Sequence, residues 1–287
     1  AAQHKRRYYE CRRSLLLSVP VLILLWLPWL LGQAGVKVPF FSESTGNAAI
    51  CVLIPQAAVC LLAWPVFRGA LEGLRERVPF PVRPLALDLT DRSSFATYAK
   101  ALTEEPVEVG LLVNASGFGK FRAVVDTPLE VNLNMVDLNC QAVMALCQLT
   151  IPYMPEGGQI INIASVAAFQ PIPYIDVYGA SKAFVLSFSR ALNRELRGRG
   201  IRVMALCPFW TRTAFFARAT VNGGESVVKK YVAMYEPEQL VQRAWRDAKR
   251  GKDVSQFGFV ARFQTGLTKL LPHSLVMDVW MHQQKLK

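Results

Sequence analysis

Residues 159–207 read QIINIASVAAFQPIPYIDVYGASKAFVLSFSRALNRELRGRGIRVMALC, and this stretch decides the fold. It predicts a strand over Gln159–Ala164, a helix over Val177–Arg197 and a second strand over Ile201–Cys207. Both strand segments are almost uninterrupted apolar runs, as expected of strands covered on both faces of a parallel sheet. The glycines of the segment Gly198–Gly200 provide a helix stop before the second strand. The order of strand, helix and strand therefore indicates a parallel βαβ unit.

The alternation of strands and helices continues on both sides of this stretch. The sequence pattern predicts earlier strands at Val82–Leu87 and Val109–Val113, and further helices at Ser93–Leu102, Leu129–Met154 and Pro237–Arg250. Such alternation predicts an α/β fold in which helices cover both faces of one parallel sheet. The 287 residues are enough for one large domain of this kind.

Three polar residues within and beside these elements predict a proton-transfer site. Tyr178 and Lys182 are four positions apart on the predicted helix, so their side chains share one face. A phenol titrates near ~10, and a neighbouring ammonium group would lower its pKa toward the working range of a general acid/base. Ser165 follows the strand Gln159–Ala164, where its hydroxyl could polarise a substrate carbonyl.

Asn139 lies on the preceding predicted helix and completes a set of four. Asn139, Ser165, Tyr178 and Lys182 together resemble the catalytic residues of the short-chain dehydrogenase/reductase family. The resemblance implies a Rossmann-like, doubly wound parallel sheet and NAD(P)(H)-dependent interconversion of a carbonyl and an alcohol. Tyr178 would give the proton to the nascent alkoxide, and Lys182 would lower the tyrosine pKa and hold the nicotinamide ribose. Ser165 would position the carbonyl, and Asn139 would complete a proton relay through water.

Further motifs resemble the family's cofactor-binding segments. Asp88 resembles the strand-end Asp near the adenine, Asn114–Gly117 the N-A-G turn under the cofactor, and Cys207–Thr213 the segment that lines the nicotinamide. Ser116 stands where the family usually has Ala or Gly, and Phe209 replaces a usual Gly. The implied cofactor is NAD or NADP, with NADP slightly favoured. The residues implied to bind it are Asp88, Asn114, Ala115, Ser116, Gly117, Tyr178, Lys182, Pro208, Thr211 and Thr213.

The N-terminal quarter departs from the family pattern. The family opens with a T-G-x-x-x-G-x-G turn, and the nearest counterpart, Thr45–Ile50, keeps only the first glycine. Without the later glycines, side chains would stand where the backbone must approach the pyrophosphate. The region instead contains two apolar runs without charged residues, Ser14–Leu31 and Ala48–Phe67, which are 18 and 20 residues long.

Three interpretations remain open for residues 1–74, which precede a catalytic domain predicted over residues 75–287. Both apolar runs are long enough to span a bilayer, and basic residues outside the pair favour a hairpin with both ends in the cytoplasm. The alternatives are a degenerate start of the Rossmann-like fold and a segment foreign to that fold. We therefore expect a cytoplasmic protein, associated with the cytoplasmic side of a membrane if the hairpin forms.

Composition narrows the classes of partner. The net charge is +12, 52% of the residues are hydrophobic, and the mean hydropathy is +0.23. The N-terminal basic residues precede an apolar run and no nucleic-acid motif accompanies them, so they favour a membrane flank over nucleic acid. The six cysteines show neither a C-x-x-C pair nor metal-like spacing to histidine, so no disulfide framework or metal site is expected. The resemblance to the family implies a small apolar carbonyl or alcohol substrate and a homo-oligomer.

Apolar residues near the catalytic motifs predict a substrate pocket. Segment Ala214–Tyr235 lies where the family places a substrate lid, with an ordinary packed helix pair as the alternative. Segment Phe257–Leu271 is either an amphipathic surface helix or part of the core. The residues predicted to line the pocket are Ala167, Phe169, Tyr174, Phe209 and Trp210.

Two other functions compete with that of a reductase. The run Gly179–Ala183 half resembles a G-x-S-x-G nucleophile elbow around Ser181, but it lacks the second glycine and the entering strand. The three histidines, His4, His273 and His282, all lie near the termini. The second rival is a catalytically silent, membrane-tethered relative unable to bind dinucleotide. The missing glycine turn favours this silent relative. The presence of Asn139, Ser165, Tyr178 and Lys182 disfavours it.

Overall fold

The computed structural model describes residues 84–104, 107–213, 215–220, 227–228 and 230–286, and those from Leu87 onward belong to one compact unit. Within these residues the sheet has four parallel strands in the order β1-β2-β3-β4. Asn114 pairs with Asn162, and Asn162 with Ala205, so the carboxyl ends of β1, β2 and β3 meet at one edge. The strands are β1 Leu111–Asn114, β2 Gln159–Ile163, β3 Arg202–Leu206 and β4 Val254–Ser255.

Helices connect and cover these strands, as predicted. A π-helical turn, Asp137–Gln141, joins α2 to α3, so the two run as one helix. Short 3-10 turns occupy Val124–Asp126, Ile151–Tyr153, Val166–Phe169 and Leu196–Arg199. The helices are α1 Ser93–Thr103, α2 Leu129–Val136, α3 Ala142–Thr150, α4 Asp176–Glu195, α5 Phe215–Thr220, α6 Pro237–Lys249, α7 Phe259–Leu267 and α8 His273–Gln284.

The core has two layers, one on each face of the sheet. Because side chains alternate along a strand, Ile160 and Ile161 of β2 point to opposite faces. Ile160 packs in the cluster that contains Val185 of α4, whereas Ile161 packs in the cluster that contains Leu240 of α6. Full burial of such side chains contributes about 1.5–3 kcal/mol each. These layers confirm the predicted α/β sheet covered on both faces, and Gly200, at φ 68°, ends α4 and its last 3-10 turn where the helix stop was predicted.

Two predicted elements differ from the structure. Residues 84–87 of the predicted strand Val82–Leu87 form no strand, and 82–83 lie outside the described residues. Pro84 has no backbone N–H to give to a ladder. The helix predicted over Leu129–Met154 contains the π-helical turn and ends at Thr150, because Pro152 disfavours continued α-helix in the residue before it.

A buried charge cluster attaches β4 to α6. Asp247 of α6 is 1% exposed, and it accepts hydrogen bonds from Arg243 (2.7 Å) and from the Ser255 hydroxyl (2.9 Å). Its second oxygen lies 2.9 Å from Lys252 Nζ. Burial raises the pKa of Asp247, but the hydrogen bonds from Arg243, Lys252 and Ser255 outweigh that effect and lower it overall. This cluster is structural, since none of its members lines the cavity described below.

The predicted apolar runs Ser14–Leu31 and Ala48–Phe67, the turn candidate Thr45–Ile50 and the boundary at Arg75 lie outside the described residues. Among the helices that are described, none is both long and apolar enough to cross a bilayer.

Candidate active site

The four predicted catalytic residues are brought to the carboxyl edge of the sheet by different elements. Ser165 follows β2, Tyr178 and Lys182 lie in the first turns of α4, and Asn139 lies in the π-helical turn between α2 and α3. Ser165, Tyr178 and Lys182 line one cavity. We call Asn139, Ser165, Tyr178 and Lys182 the catalytic edge.

Ser165 and Tyr178 bring their hydroxyl groups to the same cavity. The backbone of Ser165 is extended, and its hydroxyl accepts a hydrogen bond from Ala167 N at 3.1 Å, which caps the following 3-10 turn. Burial raises the pKa of Tyr178 to about 12, and the hydrogen bond with Ser165 opposes that rise. A phenol in this state is protonated at neutral pH and can act as a proton donor.

Lys182 is a buried cation beside that phenol. Its side chain is 4% exposed, and Nζ donates a hydrogen bond to the carbonyl oxygen of Ile163 at 2.8 Å. Nζ lies 5.8 Å from the centroid of the Tyr178 ring. Burial lowers the pKa of Lys182 to about 8. The predicted lowering of the Tyr178 pKa by Lys182 is wrong for the chain as described here, because burial of the phenol dominates.

Asn139 holds the loop that follows β1. It is completely buried, its Oδ1 accepts from Phe118 N (3.1 Å), and its Nδ2 donates to Phe118 O and to the Ser181 hydroxyl (2.9 Å each). A π-helical turn often marks a functional position, and here it carries this amide. A Cβ on Gly117 would lie 2.8 Å from Asn139 Oδ1 and 3.3 Å from Lys182 Nζ, so this position needs glycine. The water relay through Asn139 stays a prediction.

A chain of buried amides lies beneath the site. Asn114 Nδ2 donates to Asn162 Oδ1 (2.8 Å), and Asn162 Nδ2 donates to the Ser189 hydroxyl (2.9 Å). Asn114 also contacts Cys147 Sγ at 3.3 Å. The side chain of Asn114 therefore joins β1 to β2 and α3, and Asn162 extends the chain of hydrogen bonds to α4. Sequence reasoning missed Asn162 and Ser189, although an Asn in an otherwise apolar strand was a usable signal.

The residues implied to bind the cofactor fall into three groups. Asn114 is buried and does not line the cavity. Asp88 and Ser116 are exposed and are not among the residues that line the cavity. Asp88 instead accepts hydrogen bonds from Thr90 N (2.9 Å) and from the Thr90 hydroxyl (2.7 Å), and these bonds lower its pKa. The residues that line the cavity are Ala115, Gly117, Tyr178, Lys182, Pro208, Thr211 and Thr213.

This donor set fits the nicotinamide end of a dinucleotide. Lys182 and Tyr178 supply a buried cation and a phenol, Thr211 and Thr213 supply hydroxyls, and Gly117 leaves the backbone unshielded by a side chain. The nearest counterpart of the glycine-rich turn that would receive the pyrophosphate, Thr45–Ile50, lies outside the described residues. Among the described residues, no group of three or more His, Cys, Asp or Glu side chains could hold a metal ion.

The cavity has a volume of about 390 Å³ and a largely aromatic outer part. The Phe121 ring lies 5.9 Å from Trp210 and 6.0 Å from Phe215, and Phe215 lies 5.3 Å from the Tyr178 ring. Trp280 of α8 is fixed by a 3.1 Å hydrogen bond from Nε1 to Pro173 O. We call the following side chains the aromatic wall: Phe121, Trp210, Phe215, Phe216 and Trp280.

The predicted pocket residues are partly correct. Ala167, Phe209 and Trp210 line the cavity, whereas Phe169 and Tyr174 do not. Phe169 packs against the core under α4. Tyr174 lies in the turn before α4, with a φ of 66°. The prediction missed several lining residues because they follow the catalytic motifs by many positions or precede them: Phe121, Lys230, Gln264 and Trp280.

The structure shows the helices in two segments for which the sequence allows more than one interpretation. Part of Ala214–Tyr235 forms α5, and its Phe215 and Phe216 line the cavity, while Tyr235 bridges to Thr211. Phe257–Leu271 contains the helix α7, which exposes Phe259 and buries Ala261, so it is amphipathic. Ser181 lies inside α4, buried, and its hydroxyl donates to Tyr178 O at 2.8 Å. This is not a nucleophile elbow.

Known proteins resemble this chain over about half of its length or more. It is 29% identical over 140 residues to an oxidoreductase of Staphylococcus epidermidis, a match that covers 48% of this chain and 61% of that protein. The chain thus spans about three fifths of that relative's length. It is 26% identical over 201 residues to a 3-oxoacyl-acyl-carrier-protein reductase of Thermotoga maritima, covering 68% of this chain and 82% of that protein.

Solved structures show the same fold. A short-chain dehydrogenase of Sphingobium yanoikuyae in complex with NADPH is 28% identical, with a TM-score of 0.59 over 71% of this chain and 82% of that one. The bulky-bulky ketone specific alcohol dehydrogenase of Comamonas testosteroni is 26% identical, with a TM-score of 0.54 over 75% and 81%. These likenesses support a Rossmann-like fold and the use of NAD(P) in general.

The family model described as short chain dehydrogenase matches residues 56–222. The match begins upstream of Arg75, where the resemblance was expected to start, and includes the catalytic edge. Because it covers more than half of the 287 residues, the chain belongs to the short-chain dehydrogenase family of oxidoreductases.

Proposed function

We propose that the protein is an NAD(P)(H)-dependent oxidoreductase that interconverts a bulky, apolar ketone and its alcohol at the catalytic edge. The observation that carries the proposal is that Ser165, Tyr178 and Lys182 line the same cavity as the aromatic wall. A carbonyl placed between the Ser165 and Tyr178 hydroxyls would keep its apolar substituents against the rings. The bulky ketone specific relative of Comamonas testosteroni supports this substrate class.

The residues divide the chemistry among themselves. NAD(P)(H), when bound, supplies or accepts the hydride. Ser165 donates a hydrogen bond to the substrate oxygen and orients it. Tyr178, protonated at neutral pH, gives its proton to the oxygen as negative charge develops there, and takes the proton back in the oxidation direction.

Lys182 serves two purposes in this proposal. It would hold the ribose of the cofactor, and its positive charge would stabilise the phenolate left after proton transfer. Its folded-state pKa of about 8 leaves it largely cationic at pH 7. Asn139 keeps the backbone at Phe118 and the Ser181 hydroxyl in place, so we assign it a positioning role.

The test is turnover of the purified chain with an aryl alkyl ketone and either NADPH or NADH, followed by loss of absorbance of the reduced nicotinamide. Tyr178→Phe should reduce kcat/KM by about 100-fold or more, because a general acid commonly contributes 10²–10⁴-fold. Binding of the reduced cofactor, measured by energy transfer from tryptophan, should survive the substitution. Tyr153→Phe, outside the cavity, is the matched control. Wild-type rates in Tyr178→Phe would refute the mechanism.

A further inference from the structure

The charged side chains of the cavity are all basic. Among the described residues that line it, the charged ones are Lys182 and Lys230, and no Asp or Glu is present. Lys182 belongs to the catalytic edge and donates to Ile163 O. Lys230 is exposed and has no part in that machinery, so its charge is accessible to a substrate in a cavity lined mainly by apolar side chains.

The position of Lys230 is fixed by the C-terminal helix. Its backbone N–H donates to Gln284 Oε1 and its carbonyl oxygen accepts from Gln284 Nε2, both at 3.0 Å. Gln284 of α8 is only 1% exposed. Within the part of the chain that the structure describes, no carboxylate lies within ion-pair distance of the Lys230 ammonium group.

A row of neighbouring aromatic rings extends from the proton donor Tyr178 to the chain segment that carries Lys230. Phe215 lies 5.3 Å from the ring of Tyr178 and 5.9 Å from Phe216. Phe216 lies 5.4 Å from Tyr231, the residue next to Lys230. A substrate whose carbonyl reaches Tyr178 would therefore lay its apolar body on Phe215 and Phe216 before it reaches Lys230.

Amide groups add hydrogen-bond donors to the same cavity. Gln264 of α7 and Gln283 of α8 both line it, and they lie on the two C-terminal helices, of which α8 also holds Lys230. Gln264 is oriented by a 3.3 Å hydrogen bond to Gln170. A cation accompanied by amide N–H groups is suited to bind an oxyanion.

We propose that the substrate is an apolar ketone that carries a carboxylate, and that Lys230 binds this carboxylate while the carbonyl lies at Tyr178. This inference rests on the proposed function and names its substrate class. It assigns Lys230 as a residue that determines specificity through charge.

The first experiment compares aryl keto acids of increasing chain length with their methyl esters, using kcat/KM for each. For the wild type we expect the acid to be preferred at the best chain length, mainly through a lower KM. Lys230→Gln should reduce the acid-to-ester ratio about tenfold, and Lys230→Glu should invert the preference. Lys100→Glu, which makes the same charge change on α1, should leave the ratio unaltered.

The second experiment measures binding without turnover, by calorimetric titration of the same keto acid and its ester. Acid binding that weakens about tenfold in Lys230→Gln supports the inference, even if no variant reduces ketones and the proposed function fails. Equal binding and equal kcat/KM of acid and ester in the wild type would overturn the inference. An acid-to-ester ratio of kcat/KM that Lys230→Glu leaves unchanged would also overturn it. Ester reduction in either case would leave the proposed function intact.

Discussion

The catalytic edge and the aromatic wall face each other across one cavity, yet they are built differently. The edge consists of buried polar groups whose hydrogen bonds are largely made within the protein, such as those of Asn139 and Lys182. The wall consists of rings that meet through van der Waals contact and come from separate parts of the chain, among them Phe121 and Trp280. Loss of a buried polar partner leaves another group unsatisfied, whereas one ring can be exchanged for another apolar group. The edge should therefore be intolerant of change and the wall adaptable.

The largest expected effect is that of Asn139→Ala. Removing the amide takes one hydrogen bond each from Phe118 N, Phe118 O and the Ser181 hydroxyl. At about 1–1.5 kcal/mol for each buried hydrogen bond lost, the free energy of unfolding should fall by about 3 kcal/mol or more. Urea unfolding measures it. Asn134→Ala on α2 is the control, and an equal effect of the two substitutions would show that the edge is not specially constrained.

Lys182→Met should remove turnover and change how stability depends on pH. The pKa of Lys182 falls from 10.5 in the unfolded chain to about 8 in the folded one, a difference worth about 3 kcal/mol. Between those values the unfolded chain binds more protons, so wild-type stability gains from rising pH across this window. That gain is fully present above pH 10.5 and is lost as the pH falls through 8.

Urea unfolding of both proteins at pH 7, 9 and 10 tests this. The wild type should gain stability relative to Lys182→Met as the pH rises from 7 to 10. If the free energies of unfolding of the two proteins changed equally with pH, burial would not lower the pKa of Lys182.

Asp247→Asn tests whether buried polar groups outside the cavity act on stability alone. The hydrogen bonds of Asp247 lower its pKa overall, so its stabilisation is present above the unfolded value of ~3.9 and is lost as pH falls below it. At pH 7 we expect a loss of about 1–2 kcal/mol, with unchanged kcat. The deficit should shrink below pH 4. Asp278→Asn, on the exposed surface of α8, is the control; an altered kcat in Asp247→Asn would show that α6 is coupled to the edge.

The smallest expected effect on stability is that of Phe216→Leu in the aromatic wall. The substitution removes ring contacts with Trp210 and Tyr231 but keeps an apolar side chain. We expect about 1 kcal/mol of destabilisation and a change of about tenfold in the preference between bulky and small ketones. The ratio of kcat/KM values for two ketones measures the latter. Phe184→Leu, on α4 away from the cavity, should leave that ratio unaltered.

Some features escaped prediction for identifiable reasons. The π-helical turn at Asp137–Gln141 escaped prediction because it has no residue signature of its own and is defined by its backbone hydrogen bonds. The raised pKa of Tyr178 depends on how much apolar material covers the phenol, and spacing does not report burial. The spacing of Tyr178 and Lys182 predicts only that the two side chains are close. It does not predict the hydrogen bond from Lys182 Nζ to Ile163 O, which joins different elements.

The sequence by itself determined the parallel α/β architecture and the set Asn139, Ser165, Tyr178 and Lys182, because periodicity and residue spacing are local properties of the chain. Only the tertiary structure decided which groups satisfy Asn139, that burial governs the Tyr178 pKa, and that Phe121, Lys230 and Trp280 share a cavity with the catalytic edge. Those facts depend on contacts between residues far apart in sequence. Desolvation and shape arise only when such residues pack together.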